Sequence, residues 1–151
     1  MDVVVENTPA RTLAAVRRRV KLGEIGAAWK PALDLVWAFL RTQPGLRTDG
    51  HNVFLYHHPR DRDAAMDIDL GVQVVRPFAP AGEVHLVEVP AGEVATALHR
   101  GPYDRLRATH DAVHAWRAQH HRRFAGLSWE IYGDWSDDPE KLETTVCYLL
   151  G

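Results

Sequence analysis

The chain repeats itself. A short apolar run, a Pro-Ala break, a second run, a helical stretch and two further strand-like runs occur once in the first half and again in the second. The breaks are Pro9-Ala10 and Pro90-Ala91, and Phe54-Leu55-Tyr56 falls where Glu130-Ile131-Tyr132 falls. Such duplication constrains the fold more than any single residue's propensity, because it makes one supersecondary unit serve twice. Two related units usually pair about a pseudo-two-fold axis, and the surface between them is a natural concave site. The chain therefore reads as one domain over residues 1–151, with a first module over 1–78, a linker at 77–82 and a second module over 83–151. The expected class is α+β: duplicated strand–helix–strand–strand modules building an antiparallel sheet, two helices packed on one side of it, and a groove at the pseudo-two-fold axis.

In the first module, residues 3–5 are a β-branched run and residues 12–20 continue it past the break. Arg17-Arg18-Arg19 with Lys21 lack interleaved aromatics and read as a solvated strand edge, which charge protects from mispairing. Ile25, Trp29, Ala32, Leu33, Val36 and Leu40 form one apolar stripe of a helix over 23–40. Pro31 requires that this helix either begin near Trp29 or kink. Trp37 lies on the flank of the stripe, where it either reaches a groove or packs half-exposed. Strands follow at 52–57 and 66–75, around the polar turn 58–63. The Pro- and Gly-bearing stretch 77–82 is the linker.

In the second module, strands are expected at 84–89 and 93–99. Gly101-Pro102-Tyr103 turns the chain, and Asp104 is placed to cap a helix running to about Arg122. That helix carries the stripe Leu106, Thr109, Val113, Trp116 and His120, and Phe124-Ala125-Gly126 closes it. Two strands end the chain, one bearing Glu130 and one over 142–150.

Several functions are disfavoured by composition. A net charge of −2 argues against a broad nucleic-acid surface, which needs a basic excess. The one cysteine, Cys147, cannot form an internal disulfide and reads as a buried thiol in an apolar strand. Residues 1–6 lack a basic segment followed by an apolar run, and no window approaches the ~20 apolar residues of a membrane span. A cytoplasmic domain with no direct nucleic-acid or membrane partner is expected.

The chemistry centres on residues 128–134. In a strand, Trp129 and Ile131 point to one face and Glu130 and Tyr132 to the other. A carboxylate inside an apolar segment is costly to bury unless something pairs with it. Either Glu130 lies on a solvated face, or a ligand pairs with it. Phe54 and Tyr56 placed across from Glu130 and Tyr132 would make an aromatic groove with one acid in it. Such an acid can hold a cationic ligand, helped by cation–π attraction, or act as general acid or base. His110-Asp111-Ala112-Val113-His114 has the outline of a zinc-protease motif, but Asp stands where Glu is needed and His114 faces solvent at helical spacing. The pairs His57-His58 and His120-His121 point apart. No metal site and no cofactor are expected.

His99-Arg100-Gly101-Pro102-Tyr103, then Leu106, Trp116, Trp129-Glu130-Ile131-Tyr132 and Leu142-Glu143-Thr144-Thr145-Val146 resemble the GyrI-like family, the effector-binding domain also attached to AraC- and MerR-type regulators. The resemblance covers essentially the whole chain. It implies two strand–helix–strand–strand modules around a groove that takes amphipathic, often cationic small molecules. It implies Glu130 and Tyr132 as ligand-binding residues, or catalytic ones if the protein is an enzyme. Phe54, Tyr56, Trp29, Trp37, Tyr148, His99 and Tyr103 would complete the site. Some free-standing members are similar to hydrolases of cyclopropane-bearing alkylating natural products, and one binds a protein partner, DNA gyrase. The chain differs from the regulators in carrying no helix-turn-helix, and it reads as a stand-alone drug-binding or sequestering member. The alternatives are a cofactor-free hydrolase using Glu130 and a protein-interaction module.

Overall fold

Two bent strands organise the sheet. In the computed structural model, which describes residues 2–21, 23–61 and 64–151, β1 (Val4–Thr8) and β2 (Arg11–Val20) are separated only by Pro9-Ala10, and β5 (His85–Val89) and β6 (Gly92–Arg100) only by Pro90-Ala91. A proline at each break supplies no ladder N–H, so pairing stops and resumes on a different neighbour. β1 pairs with β6, whereas β2 pairs with β5 and with β4 (Met66–Val74). With β3 (Asn52–His57), β7 (Phe124–Tyr132) and β8 (Glu143–Leu150), all antiparallel, the order is β1-β6-β8-β7-β3-β4-β2-β5. The order strand, strand, helix, strand, strand occurs twice, with α1 (Ile25–Leu40) and α2 (Leu106–Gln119) in corresponding places.

Cross-strand partners share a face. The pairs Val16–Leu70, Leu70–Phe54, Phe54–Glu130, Glu130–Val146 and Val146–Ala97 therefore all point one way. On that side α1 packs over β2 and β4 through Ala32, Leu33 and Val36, and α2 packs over β6 and β8 through Leu106 and Val113. The middle strands β3 and β7 are left between the helices, and this gap is the groove. The other face holds Leu13, Val53, Leu55, Val89, Val94, Trp129 and Cys147 in one cluster without a helical residue. Val89 and Val94 lie on strands far apart in the order, so the sheet curls until this face closes on itself.

Several local expectations are corrected. α1 begins well before Trp29, with Pro31 inside it; Pro31 is exposed, and the buried face runs on through Ala32, Leu33, Val36 and Leu40. Asp104 is not a cap: Tyr103–Arg105 form a 3₁₀ turn, and α2 starts after Arg105 with no side-chain cap. α2 ends at Gln119, short of Arg122, and Phe124 opens β7 rather than closing the helix. The α2 stripe is buried at Leu106, Thr109 and Val113 and fades at His120, which is exposed. Arg17–Arg19 do lie on an edge, because β5 pairs with β2 only as far as Ala15. There the Arg17 guanidinium grips the fully buried Asp69 with two hydrogen bonds of 2.9 Å. Of the polar turn at 58–63, Arg62 and Asp63 lie outside the described residues.

Candidate functional site

β3 and β7 pair so that Phe54 stands opposite Glu130 and Tyr56 opposite Ser128. Glu130, in the middle of this seam, is 4% exposed. Protein groups satisfy its carboxylate. The Tyr56 hydroxyl donates to Oε1 at 2.5 Å and the Tyr132 hydroxyl donates to the same oxygen at 2.7 Å. His110 Nε2 meets Oε2 at 2.6 Å, and His110 Nδ1 meets the Tyr148 hydroxyl at 2.7 Å. A carboxylate only accepts, so Nε2 carries the proton. Three donors thus converge on one buried acid, and among the described residues no Lys or Arg pairs with it. The contact with His110 is an ion pair only when the imidazole is protonated.

The phenols stay protonated. Burial, and then the Glu130 charge, push Tyr56 and Tyr132 well above the ordinary phenol range, and the same two causes raise Tyr148. Their hydroxyls are therefore fixed donors that hold Glu130 in place.

Above the two tyrosines lies a cavity of about 520 Å³. Its aromatic walls are Trp29, Trp37, Phe54, Tyr56, Tyr103, Tyr132 and Trp135. Phe54 packs on Tyr132 with ring centres 4.9 Å apart, and Tyr103 meets Tyr132 edge-on at 5.4 Å. Trp29 sits on the exposed shoulder of α1, 6.2 Å from Phe54. Trp37, the flank residue, turns its indole N–H to Asn52 Oδ1 at 3.1 Å and presents a face to the cavity.

The structure thus gathers Tyr132, Phe54, Tyr56, Trp29, Trp37 and Tyr103 around one space, with Glu130 beneath two of them. His99 and Tyr148 stand apart from the lining. His99 is 5% exposed and bonds Thr109 Oγ1 and the Pro102 carbonyl, each at 2.9 Å. It pins the Gly101-Pro102-Tyr103 turn, where Gly101 takes φ 127°, and so delivers Tyr103 to the cavity. Tyr148 reaches Glu130 through His110 and is packed against Phe124, His58 and His114.

His110 was not singled out as a site residue by the sequence. Its spacing held the signal: His110 lies one turn after Leu106 and one turn before Val113, both buried on α2, so it shares their inward stripe. Trp135, Arg47, His51 and Asp134 also line the cavity, and all come from loops where no periodicity points to them.

The GyrI-like small-molecule-binding domain model matches residues 1–150. The chain belongs to this family. Solved structures agree on its fold. The C-terminal domain of EcmrR superposes with a TM-score of 0.82 at 20% identity, over 99% of this chain and 97% of that one. SAV2435 bound to tetraphenylphosphonium superposes with a TM-score of 0.73 at 14% identity, over 100% and 94%. A hydrolase from Listeria innocua superposes with a TM-score of 0.65 at 16% identity, over 99% and 92%. No curated protein matches in sequence. As a GyrI-like domain, the chain is a small-molecule-binding module, and no helix among its described residues is long and apolar enough to cross a membrane.

Proposed function

We propose that this GyrI-like domain binds lipophilic cations bearing several aromatic rings, with Glu130 as the counter-charge. The observation that carries this reading is a buried carboxylate, paired with no Lys or Arg among the described residues, beneath an aromatic cavity of about 520 Å³, a volume typical of small-molecule sites. Each well-placed ring attracts a cation by about 0.5–2 kcal/mol, most strongly where water is excluded. Tyr56 and Tyr132 serve twice, as walls of the cavity and as the hydroxyls that hold Glu130. A diffuse cation suits such a site, because it loses little hydration on entering. The fold shared with SAV2435, whose ligand is tetraphenylphosphonium, supports the same class.

Calorimetric titration with tetraphenylphosphonium tests the proposal. Binding by the wild type with at least a tenfold loss in Glu130→Gln is expected. Absent binding, or equal binding by the variant, overturns it.

One observation favours a second reading. The chain Tyr148–His110–Glu130 places an imidazole between a phenol and a carboxylate, an arrangement that can orient an acid–base group. In this reading Glu130 takes a proton from a water attacking a strained electrophile such as a cyclopropane-bearing alkylator, and returns it to the opened product. One positioned acid or base contributes about 10²–10⁴-fold, adequate for a ring that carries its own driving force. Mass analysis of the alkylator after incubation decides between the readings. A product heavier by one water, lost in Glu130→Gln while binding persists, establishes hydrolysis; unaltered bound alkylator excludes it for that class.

A further inference from the structure

Among the described residues, Arg47 is a held cation with no carboxylate partner. It lies in the loop between α1 and β3 and lines the cavity together with Trp37, Asn52 and Tyr132. Its position is over-determined. The Arg47 Nε donates to the Gly50 carbonyl at 2.8 Å, and the guanidinium lies over the Trp37 ring, 4.8 Å from its centre. Trp37 is in turn held by Asn52. The loop itself is tied to β4 and the residue after it: Gln73 N–H donates to the His51 carbonyl at 3.0 Å, and Val75 N–H to the Leu46 carbonyl at 2.9 Å. Gly50 sits so close to β4 that a Cβ there would meet the Gln73 carbonyl oxygen at 2.0 Å. Gly50 is therefore required, and its carbonyl is a fixed anchor for Arg47.

One acid shares the cavity wall. Asp134 lines the same cavity, but its carboxylate is engaged by His51 Nε2 at 2.8 Å. Among the described residues, none pairs with the two terminal nitrogens of Arg47. Nε is committed to Gly50, so the side-on edge of the guanidinium is closed and the end-on edge remains. That edge presents two parallel N–H donors, which match the two oxygens of a carboxylate. On its other side Arg47 borders a smaller depression of about 190 Å³ beside Leu40 and Gly45.

We infer that the ligand of this cavity is zwitterionic, an aromatic cation that also carries a carboxylate, and that Arg47 receives the carboxylate end-on. This rests on the cavity being a site for aromatic cations. It adds a second recognition point of opposite sign at the Trp37 end, and it makes Arg47 the residue that separates carboxylate-bearing ligands from purely cationic ones.

A matched dye pair tests it. Rhodamine 110 and rhodamine 123 share one chromophore; the first bears a free carboxylate and the second its methyl ester. Affinities are read by fluorescence anisotropy at pH 7.5. A charge-assisted hydrogen-bonded pair predicts about tenfold or more preference for the acid in the wild type. Arg47→Met keeps an apolar stem over Trp37 and is expected to abolish that preference, read as the ratio of acid to ester affinity. Arg47→Lys keeps the charge but loses the fork, and retains only part of the preference, which preserves the test should Arg47→Met not fold. Ester binding without a preference for the acid overturns the inference and leaves the aromatic-cation reading intact. So does a preference that survives Arg47→Met. Failure of both dyes to bind overturns the two together.

Discussion

Tyr56 and Glu130, 74 residues apart, share a buried hydrogen bond of 2.5 Å across the β3–β7 seam. This contact joins the two halves of the chain at the floor of the cavity. The residues that hold the ligand-facing wall in place are thus the same ones that join the halves, so stability and binding are coupled at this point.

Substitution of Glu130 separates two costs. Glu130→Ala leaves the Tyr56 and Tyr132 hydroxyls and His110 without their acceptor, and each orphaned buried donor costs about 1–3 kcal/mol. A total loss of about 3 kcal/mol is expected after partial relaxation. Glu130→Gln keeps an acceptor for the tyrosines and is expected to cost about 1 kcal/mol. Urea unfolding checks the order, and an alanine variant as stable as the glutamine variant contradicts it.

His99 is expected to act on binding only through Tyr103. His99→Ala removes both bonds that pin the turn and lowers stability by about 2 kcal/mol. In a double-mutant cycle with Tyr103→Ala, read as tetraphenylphosphonium affinity, the two effects are expected to be strongly non-additive, because the second substitution removes what the first has already displaced. Simple additivity would mean that His99 reaches the ligand by another route.

His58 is expected to make the protein sensitive to mild acid. Its ring lies beside Tyr56 and Tyr148, with Nε2 2.6 Å from Ser128 Oγ. Burial, then the neighbouring His114, His110 and His57, hold its pKa below the ordinary imidazole value of 6.5. The unfolded chain therefore binds this proton more readily than the folded one. The stability from neutral His58 is present in full above 6.5 and is lost as pH falls through the lowered folded value. Melting temperature is expected to fall below pH 6.5, and His58→Gln to flatten that slope. An unchanged slope in the variant rules out His58 as the source.

The Arg17–Asp69 pair is asymmetric. Asp69 is fully buried, while the Arg17 side chain is 46% exposed. Burial raises the Asp69 carboxyl, but the hydrogen bonds from Arg17 and His57 outweigh it and hold the group below its usual range. Arg17→Met strands a buried charge beside His57 and is expected to cost about 2–3 kcal/mol, below the range for a fully buried pair because of solvent screening. Asp69→Asn leaves an arginine that can reach water and is expected to cost about 1 kcal/mol. Chemical denaturation at physiological salt gives the ranking, and the reverse order would contradict this account.

Much of the architecture is written in local pattern. The repeated Pro-Ala breaks, the stripe Ala32, Leu33, Val36 and Leu40, and the alternation of Trp129 against Glu130 are each set by spacing along the chain, and burial follows them. Spacing also placed Glu130 and Tyr132 on one face. What it could not supply was the partner of Glu130. Tyr56 and His110 meet that carboxylate because β3 pairs with β7 in one register and α2 lies over β8 at one height. Both are non-local choices, made by the whole sheet burying its curled face and both helices at once. The same holds for Arg47, which periodicity leaves in a featureless loop. Only the close approach of Gly50 to β4 and the stacking on Trp37 turn it into a fixed charge at the cavity wall, without a carboxylate partner among the described residues. Hydrophobic patterning is a property of neighbours in sequence, whereas satisfaction of a buried charge depends on groups that only the folded chain brings together.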